Sequence, residues 1–344
     1  MQMNSTEKQS ALLRWIDLMK DKKIMVIGDM VADSYLEGAI SRISREAPVL
    51  ILEHRGEKVV PGGAANVVHN AATLGGRVYA VGVIGEDTVG GLLTHKLQSV
   101  GVETAGLIKE GDRPTISKQR IMAGGLATVR QQVVRIDRES KEPLLPETEV
   151  SLLRYIETEL FHMEAVVLSD YGSQTVTSKL RTMVIDLCNR YNIPCMVDSR
   201  YDILAYPQVT LVKQNEAEAA AALGLAEIAA DGFSAAAKEL CQRLQAKGVL
   251  ITQGAQGMTL VESNGQSTHI PVSNVSEVYD VSGAGDTVVV TMMLAIAAGA
   301  DYSTAARIAN YAAGIVVRKS GTATTTPDEL KAAIVSTDGG NEKS

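Results

Sequence analysis

The chain has 344 residues, of which 45% are hydrophobic and 21% charged, the make-up of an ordinary globular protein with enough chain for about two domains' worth of core. Its 33 lysines and arginines against 40 acidic residues leave a net charge of −7, which excludes a basic nucleic-acid-binding surface as the organising feature. Aromatic residues make up 4% of the chain, too sparse for a base-stacking platform.

From the N-terminus, MQMNSTEKQS is polar and has no basic segment leading into an apolar core, so it does not read as a signal peptide. Residues 1–21 are expected to be a helical extension in front of a domain over 22–335. Short apolar runs then recur, each stopping abruptly at polar or glycine residues: IMVIGD (24–29), VYAVGVIG (78–85), AVVLSD (165–170), PCMVDS (194–199), VTLVKQN (209–215) and GVLITQG (248–254). Runs of this length and β-branched content read as strands buried on both faces. Between them, 64–74, 89–99, 178–191, 217–223 and 234–246 carry helical spacing. Alternating strands and helices predict an α/β fold with a parallel sheet between two helical layers. Right-handed crossovers then gather Asp29, Gly82, Gly85, Asp170, Asp198, Asn215 and Thr252 on one sheet edge, where open α/β sheets bind ligands.

Two segments break the rhythm. Residues 35–60 and 114–137 alternate like strands with no helix between, and predict a small antiparallel sheet inserted beside the ligand edge as a lid. Residues 139–149, with Pro143 and Pro146, read as a surface connection, and 336–344 as a disordered tail. The longest uncharged apolar run, 287–300, has about 14 residues against the roughly 20 a bilayer span needs. A cytoplasmic protein with no membrane partner is expected. The three cysteines, Cys188, Cys195 and Cys241, form no C-x-x-C pair and read as buried free thiols.

The most informative segment is Asp280-Val281-Ser282-Gly283-Ala284-Gly285-Asp286-Thr287, which opens the apolar run. Glycines just before a helix leave backbone N–H groups free at the positive end of the helix dipole, an arrangement suited to phosphate. Taken alone, the segment leaves Asp286 open to two readings, a functional carboxylate beside a bound anion or a favourable charge in a first helical turn. A second cluster, Pro61-Gly62-Gly63-Ala64-Ala65-Asn66, also leads into a helix. It permits close backbone approach to a ligand, with Asn66 facing hydroxyls, or it is a tight turn at an ordinary helix start. The P-loop, G-x-G-x-x-G after the first strand, H-E-x-x-H and G-x-S-x-G are all missing, and the five histidines have no ligand spacing.

The two glycine motifs, about 220 residues apart, resemble those of the ribokinase (PfkB) family of sugar kinases. The resemblance runs from about residue 22 to 334. It includes Gly28-Asp29 with Asp33, PGGAAN (61–66), VGVIGED (81–87), Asn215-Glu216-Ala217-Glu218 at the family's N-x-x-E position, Thr252 to Gly257, and DVSGAGD (280–286). Within the family, SRISREAPV (41–49), QQVVRID (131–137), LSDYG (168–172) and ANYAAGIVVRKSGTAT (309–324) are similar to segments of the heptose-7-phosphate kinases of lipopolysaccharide-core synthesis. Two departures stand out. Arg45 replaces the usual proline, and Ser199-Arg200-Tyr201 replaces a Pro-Lys-Gly stretch whose lysine is implicated in substrate-phosphate recognition. Arg200 takes over that task as a bidentate phosphate binder, or the substrate carries no phosphate there.

The resemblance implies a ribokinase-like three-layer αβα domain with a mostly parallel central sheet and a small β-sheet lid. It implies ATP-dependent phosphorylation of a sugar hydroxyl, in heptose kinases the anomeric 1-hydroxyl, with Mg²⁺. Asp286 would be the base, and the amides of Gly283, Ala284 and Gly285 the anion hole. Asn215 and Glu218 would orient Mg²⁺ through water. Lys213, Thr252, Gly254, Gly257 and Asn310 would line the nucleotide. Asp33, Gly62, Gly63, Asn66 and Asp170 would face the sugar, and Arg42, Lys118 and Arg135 of the lid, with Arg200, a substrate phosphate. A homodimer joined through the lids is implied, as in many relatives. Nothing after about residue 335 could hold the nucleotidyltransferase fused to some heptose kinases, so a single step is expected. Kinases of unphosphorylated sugars or of nucleosides, and a non-catalytic sensor on the same fold, remain as alternatives.

Overall fold

The computed structural model describes residues 5–124, 131–273 and 278–338. Among them, nine strands form a central sheet in which β1 (Lys23–Gly28), β4 (Arg77–Gly85), β5 (Glu103–Glu110), β8 (Ala165–Asp170), β9 (Cys195–Ser199), β10 (Leu211–Asn215) and β11 (Gly248–Thr252) are all parallel. An antiparallel hairpin of β12 (Met258–Glu262) and β13 (Ser267–Ile270) closes one edge, giving the order β13-β12-β11-β10-β9-β8-β1-β4-β5.

Alternation along the strands explains the two helical layers. On β1, Ile24 and Val26 face one apolar cluster while Met25 and Ile27 face the other; on β8, Ala165 and Val167 oppose Val166 and Leu168 in the same way. The first cluster is covered by α1 (Ser5–Leu18), α2 (Ala64–Thr73), α3 (Thr88–Gln98), α8 (Ala284–Ala297), α9 (Tyr302–Val316) and α10 (Pro327–Asp338). The second is covered by α4 (Pro146–Glu159), α5 (Ser178–Tyr191), α6 (Glu216–Leu223) and α7 (Phe233–Leu244). From Asp286 to Ala295 every residue of α8 is buried, which is why this helix carries the longest apolar run.

The N-terminal helix lies against α10, with Ile16 in the core and Asp17 paired with Lys331. The surface connection expected over 139–149 is corrected at its end, where Pro146 opens α4. A proline at the first helical position loses no hydrogen bond, and its fixed φ suits the helix. At the C-terminus α10 runs to Asp338, so 336–338 are helical; the rest of the expected tail, 339–344, lies outside the described residues.

A second sheet, β3-β2-β6-β7, stands off the sheet's carboxyl edge. It joins β2 (Met30–Ile43), β3 (Leu50–Gly63), β6 (Ser117–Gly124) and β7 (Gln131–Arg138). The expectation of an antiparallel lid is corrected here: β2 runs antiparallel to β3 but parallel to β6. Both β2 and β6 leave the body at one rim, where the Ala32 amide donates to the Ile116 carbonyl at 2.8 Å, and both run outward from it. Residues 125–130 of the lid segment lie outside the described residues.

Candidate active site

Because seven strands run parallel, their carboxyl ends lie along one edge. Gly283 caps the start of α8 beside it at φ 79°, a left-handed conformation that glycine adopts without strain. A Cβ on Gly283 would stand 2.6 Å from Asn66 Nδ2, and one on Gly285 2.8 Å from Lys213 Nζ. The two glycines therefore let an amide and an ammonium approach the helix start directly.

Asp286, in the first turn of α8, is buried and held from both sides. Asn66 Nδ2 donates to Oδ2 at 2.7 Å, and the Tyr171 hydroxyl donates to Oδ1 at 2.9 Å. Burial pushes its carboxyl up to about 6; the negative charge of Asp198 adds to that, while the Asn66 and Tyr171 bonds and Lys213 pull it down. Such a group is ionised near neutrality and able to take a proton. Behind Asn66 a relay ties α2 to α8: Asn70 Nδ2 donates to Asn66 Oδ1 at 3.1 Å, and Thr287 Oγ1 donates to Asn70 Oδ1 at 3.0 Å.

Lys213 and Asp198 pair at 2.9 Å below the turn, both nearly buried. The Ala284 amide is not free for an anion, as the sequence reading has it; it donates to the Val281 carbonyl at 3.2 Å. The amides of Gly285 and Asp286 precede the first intrahelical bond, from Thr287 N to Gly283 O at 3.0 Å, and are the donors a helix start leaves over. Two such amides, a helix dipole and a buried ammonium make a receptor for a phosphate group.

The model of the pfkB family of carbohydrate kinases matches residues 21–329. The chain belongs to this family. It is 41% identical to the bifunctional protein HldE of Mesorhizobium japonicum over 312 residues, which are 90% of this chain and 62% of that protein. It is 38% identical to the bifunctional protein HldE of Desulfatibacillum aliphaticivorans over 320 residues, 93% of this chain and 64% of that one. The chain thus spans less than two thirds of the length of these relatives. Its fold is also that of Arabidopsis thaliana ribokinase complexed with ribose and ATP, with a TM-score of 0.68 and 18% identity over 92% of this chain and 99% of that one. Escherichia coli phosphofructokinase-2 in complex with fructose-6-phosphate gives 0.71 and 21% over 93% and 99%. The chain thus joins membership of a carbohydrate-kinase family to a ribokinase-like α/β fold.

Around this centre the kinase places the remaining expected residues unevenly. Asn66, expected to face a sugar, has its amide nitrogen on Asp286. Asp33 is buried and paired at 2.6 Å with Arg120 of β6, a residue the sequence reading passed over. A Cβ on Gly62 would meet Asp33 Oδ2 at 2.4 Å and one on Gly63 would meet Val31 at 2.7 Å, so these glycines first make room for β2. Asp170 is engaged by its own chain: its oxygens accept from the Gly172 amide (2.9 Å) and from the Ser199 (3.1 Å) and Tyr206 (2.6 Å) hydroxyls. Arg200 is exposed, its guanidinium 5.2 Å from the Tyr171 ring centroid, and makes no ion pair among the described residues. Lys118 lies opposite Asp33 and Asp137 in register. Arg135 is bonded to Asp137 at 2.7 and 2.5 Å, and Arg42 is exposed on the outer part of β2; neither is drawn into the centre.

Asn215 and Glu218 form a capping box on α6. Asn215 Oδ1 accepts the Glu218 amide at 2.8 Å, and Glu218 Oε2 accepts the Asn215 amide at 2.9 Å. Burial raises the Glu218 carboxyl, with Lys213 opposing. Thr252 ends β11, Gly254 stands at φ 50°, and a Cβ on Gly257 would lie 2.1 Å from the Ile270 carbonyl. Asn310 of α9 donates to the Pro271 carbonyl at 2.8 Å, tying that helix to the segment that follows the β12–β13 hairpin. Asp29 is wholly buried and binds three backbone amides. Tyr171 and Asp198 are the central residues to which the sequence reading gave no role. Both sit at a strand's carboxyl end, the signal that places Asp198 on the ligand edge in the sequence and that applies equally to Tyr171.

Proposed function

We propose that this kinase transfers the γ-phosphate of ATP to the anomeric 1-hydroxyl of D-glycero-D-manno-heptose 7-phosphate, a step toward ADP-heptose and the lipopolysaccharide core. One observation carries the phosphotransfer: a buried, doubly held Asp286 beside unspent helix-start amides and the Lys213 ammonium. The choice of heptose is supported by the four segments similar to heptose kinases and by about 40% identity to the HldE proteins.

Phosphoryl transfer needs in-line positioning and charge neutralisation more than covalent chemistry. Asp286 takes the proton of the acceptor hydroxyl as that oxygen attacks. The amides of Gly285 and Asp286, with Lys213, receive the transferring group. Asp33 and Arg120 read sugar hydroxyls from the lid side. Arg200, exposed and without a carboxylate partner among the described residues, binds the acceptor's own phosphate. Thr252, Gly254, Gly257 and Asn310 line the nucleotide.

Among the described residues no three His, Cys, Asp or Glu side chains stand close enough to cage a cation. That fits Mg²⁺ entering with the nucleotide and keeping phosphate and water as ligands. Glu218, with Oε2 committed to the cap, and Asn215 would hold it through water, and the ion supplies charge neutralisation on the phosphates. The dependence on ATP supports a cytoplasmic location, and among the described residues no helix is long and apolar enough to cross a membrane. Apolar side chains on the lid support a homodimer formed there.

The test is ATP-dependent turnover against heptose 7-phosphate, fructose, ribose and adenosine, with ADP release coupled to an optical assay and the product's phosphate position read by NMR. Preference for heptose 7-phosphate, phosphorylated at C1, is the expected result. Preference for an unphosphorylated sugar would remove the Arg200 assignment, and no ADP release with any acceptor would point to a sensor.

A further inference from the structure

The loop after β8 is anchored by two carboxylates. Asp29, at the end of β1, accepts the amides of Tyr171 (2.8 Å) and Ser173 (3.0 Å) on Oδ2 and that of Thr175 (3.2 Å) on Oδ1. Asp170 accepts the Gly172 amide and cross-links the loop to Ser199 and Tyr206. Burying carboxylates is costly unless their hydrogen bonds are made, and here those bonds go to the loop backbone and its supports. Gly172 turns the chain at φ 78°. What the clamp fixes is the direction of one side chain: Tyr171 reaches back to Asp286, 115 residues away in sequence, and donates at 2.9 Å. Arg200 lies over its ring.

We propose that Tyr171 is a positioning residue for phosphoryl transfer: its hydroxyl, aimed by the Asp29–Asp170 clamp, locks the rotation of the Asp286 carboxylate. The proposal rests on Asp286 being the base. With Asn66 on one oxygen and Tyr171 on the other, the carboxyl plane cannot turn, and the remaining lone pairs hold fixed directions for an incoming hydroxyl. A carboxylate free to rotate would lose part of the alignment on which the reaction depends.

The charged groups around this pair are Asp198 and Lys213 beneath Asp286, Glu218 beyond Lys213, and Arg200 on the tyrosine. Burial, then the charges of Asp286 and Asp198, push the Tyr171 hydroxyl well above its ordinary range, with Arg200 opposing, so it stays a donor at working pH. Its hydrogen bond favours the ionised Asp286, against the pull of burial.

Tyr171→Phe removes the donor and keeps the ring under Arg200. We expect kcat to fall about 10-fold or more, KM for both substrates to stay within about twofold, and the acidic limb of kcat/KM to rise by about one pH unit. In the substrate-free protein, carboxyl-carbon NMR of Asp286 must show the same upward movement. Fluorotyrosine at position 171, a stronger donor, must move both midpoints downward. Circular dichroism and thermal unfolding check that each variant is folded. Midpoints unmoved in both variants overturn the proposal, even if activity falls, because a merely structural loss leaves them in place. Asp286→Asn separates the two readings. Turnover retained there removes the base, whereas an inactive Asp286→Asn beside unmoved Tyr171→Phe midpoints removes only the role of Tyr171.

Discussion

Lys213 and Asp198 pair at 2.9 Å across neighbouring parallel strands, and the lysine ammonium lies against Gly285 at the start of α8. Burial disfavours the lysine charge, yet Asp198, Glu218 and Asp286 outweigh it and raise the ammonium above its ordinary range. The cation is therefore kept at the positive end of a helix, the arrangement on which the proposed phosphate site rests. Lys213→Met should leave Asp198 charged, buried and alone. Breaking a buried pair on one side typically costs about 3–5 kcal/mol, so a marked fall in melting temperature is expected. Lys213→Met with Asp198→Asn should recover most of that stability but none of the nucleotide affinity, measured by calorimetry with a non-hydrolysable ATP analogue. Unchanged affinity in the double variant would remove Lys213 from the phosphate site.

Gly285→Ala tests the close approach itself. The new methyl would stand 2.8 Å from Lys213 Nζ and 3.3 Å from its Cε, so the lysine must withdraw. Gly285 lies inside α8 without a left-handed backbone, and alanine suits a helix better than glycine. Stability should hold or rise slightly while kcat drops by about 10-fold or more. Equal turnover in the variant would mean that the ammonium does not act from this position.

In the central sheet, the strands legible in the sequence are ones buried on both faces. β1, β4, β8, β9, β10 and β11 show continuous apolar runs because neither face meets water. The sequence reading names no strand at β5, β12 or β13: β5 and β13 are edge strands whose apolar pattern is broken by polar residues, and β12, though buried, is only a short run directly after Gly257. α4 was hidden by its own Pro146, taken for a loop residue. In the site, Gly283, Gly285 and Asp286 stood out because they adjoin the apolar run of α8. Asn66 stands out too, as a residue facing sugar hydroxyls, but its bond to Asp286 is not legible, and neither is the role of Tyr171. Asn66, on α2, is 220 residues away and Tyr171, after β8, is 115, and only the completed fold brings them together. Asp29 and Asp170 look like site residues for the same reason, but both are spent on holding the Tyr171 loop.

The lid offers a test of assembly. Ile40, Ile43, Leu50, Val133, Val134 and Ile136 are all exposed on three of its four strands, β2, β3 and β7, a concentration of apolar surface expected of a contact rather than of a free face. A homodimer should appear by light scattering at micromolar concentration as twice the 36.6 kDa chain. Val134→Asp with Ile43→Asp should return the mass to a single chain while circular dichroism stays unchanged. A wild-type chain that is monomeric under these conditions would count against pairing through the lid.

As the proposed base, Asp286 would set activity against stability. Its folded carboxyl is raised to about 6 from an ordinary 3.8, chiefly by burial. The folded chain therefore holds this proton more tightly than the unfolded one, and stability is lost as pH rises from about 4 to about 6 and stays lost above that. Roughly two pH units correspond to about 3 kcal/mol against the folded state at neutral pH. Asp286→Asn carries no charge to desolvate. It should melt at a higher temperature than the wild type at pH 8, with the gap closing below about pH 4 as both side chains become neutral. The same variant should lose at least about 10²-fold in kcat with nucleotide affinity nearly intact, as expected for a missing general base. In the wild type, kcat/KM should fall on the acidic side with a midpoint near 6. Scanning calorimetry across pH and steady-state kinetics check the two halves separately. A variant less stable than the wild type at every pH would show that the carboxylate's hydrogen bonds outweigh its burial.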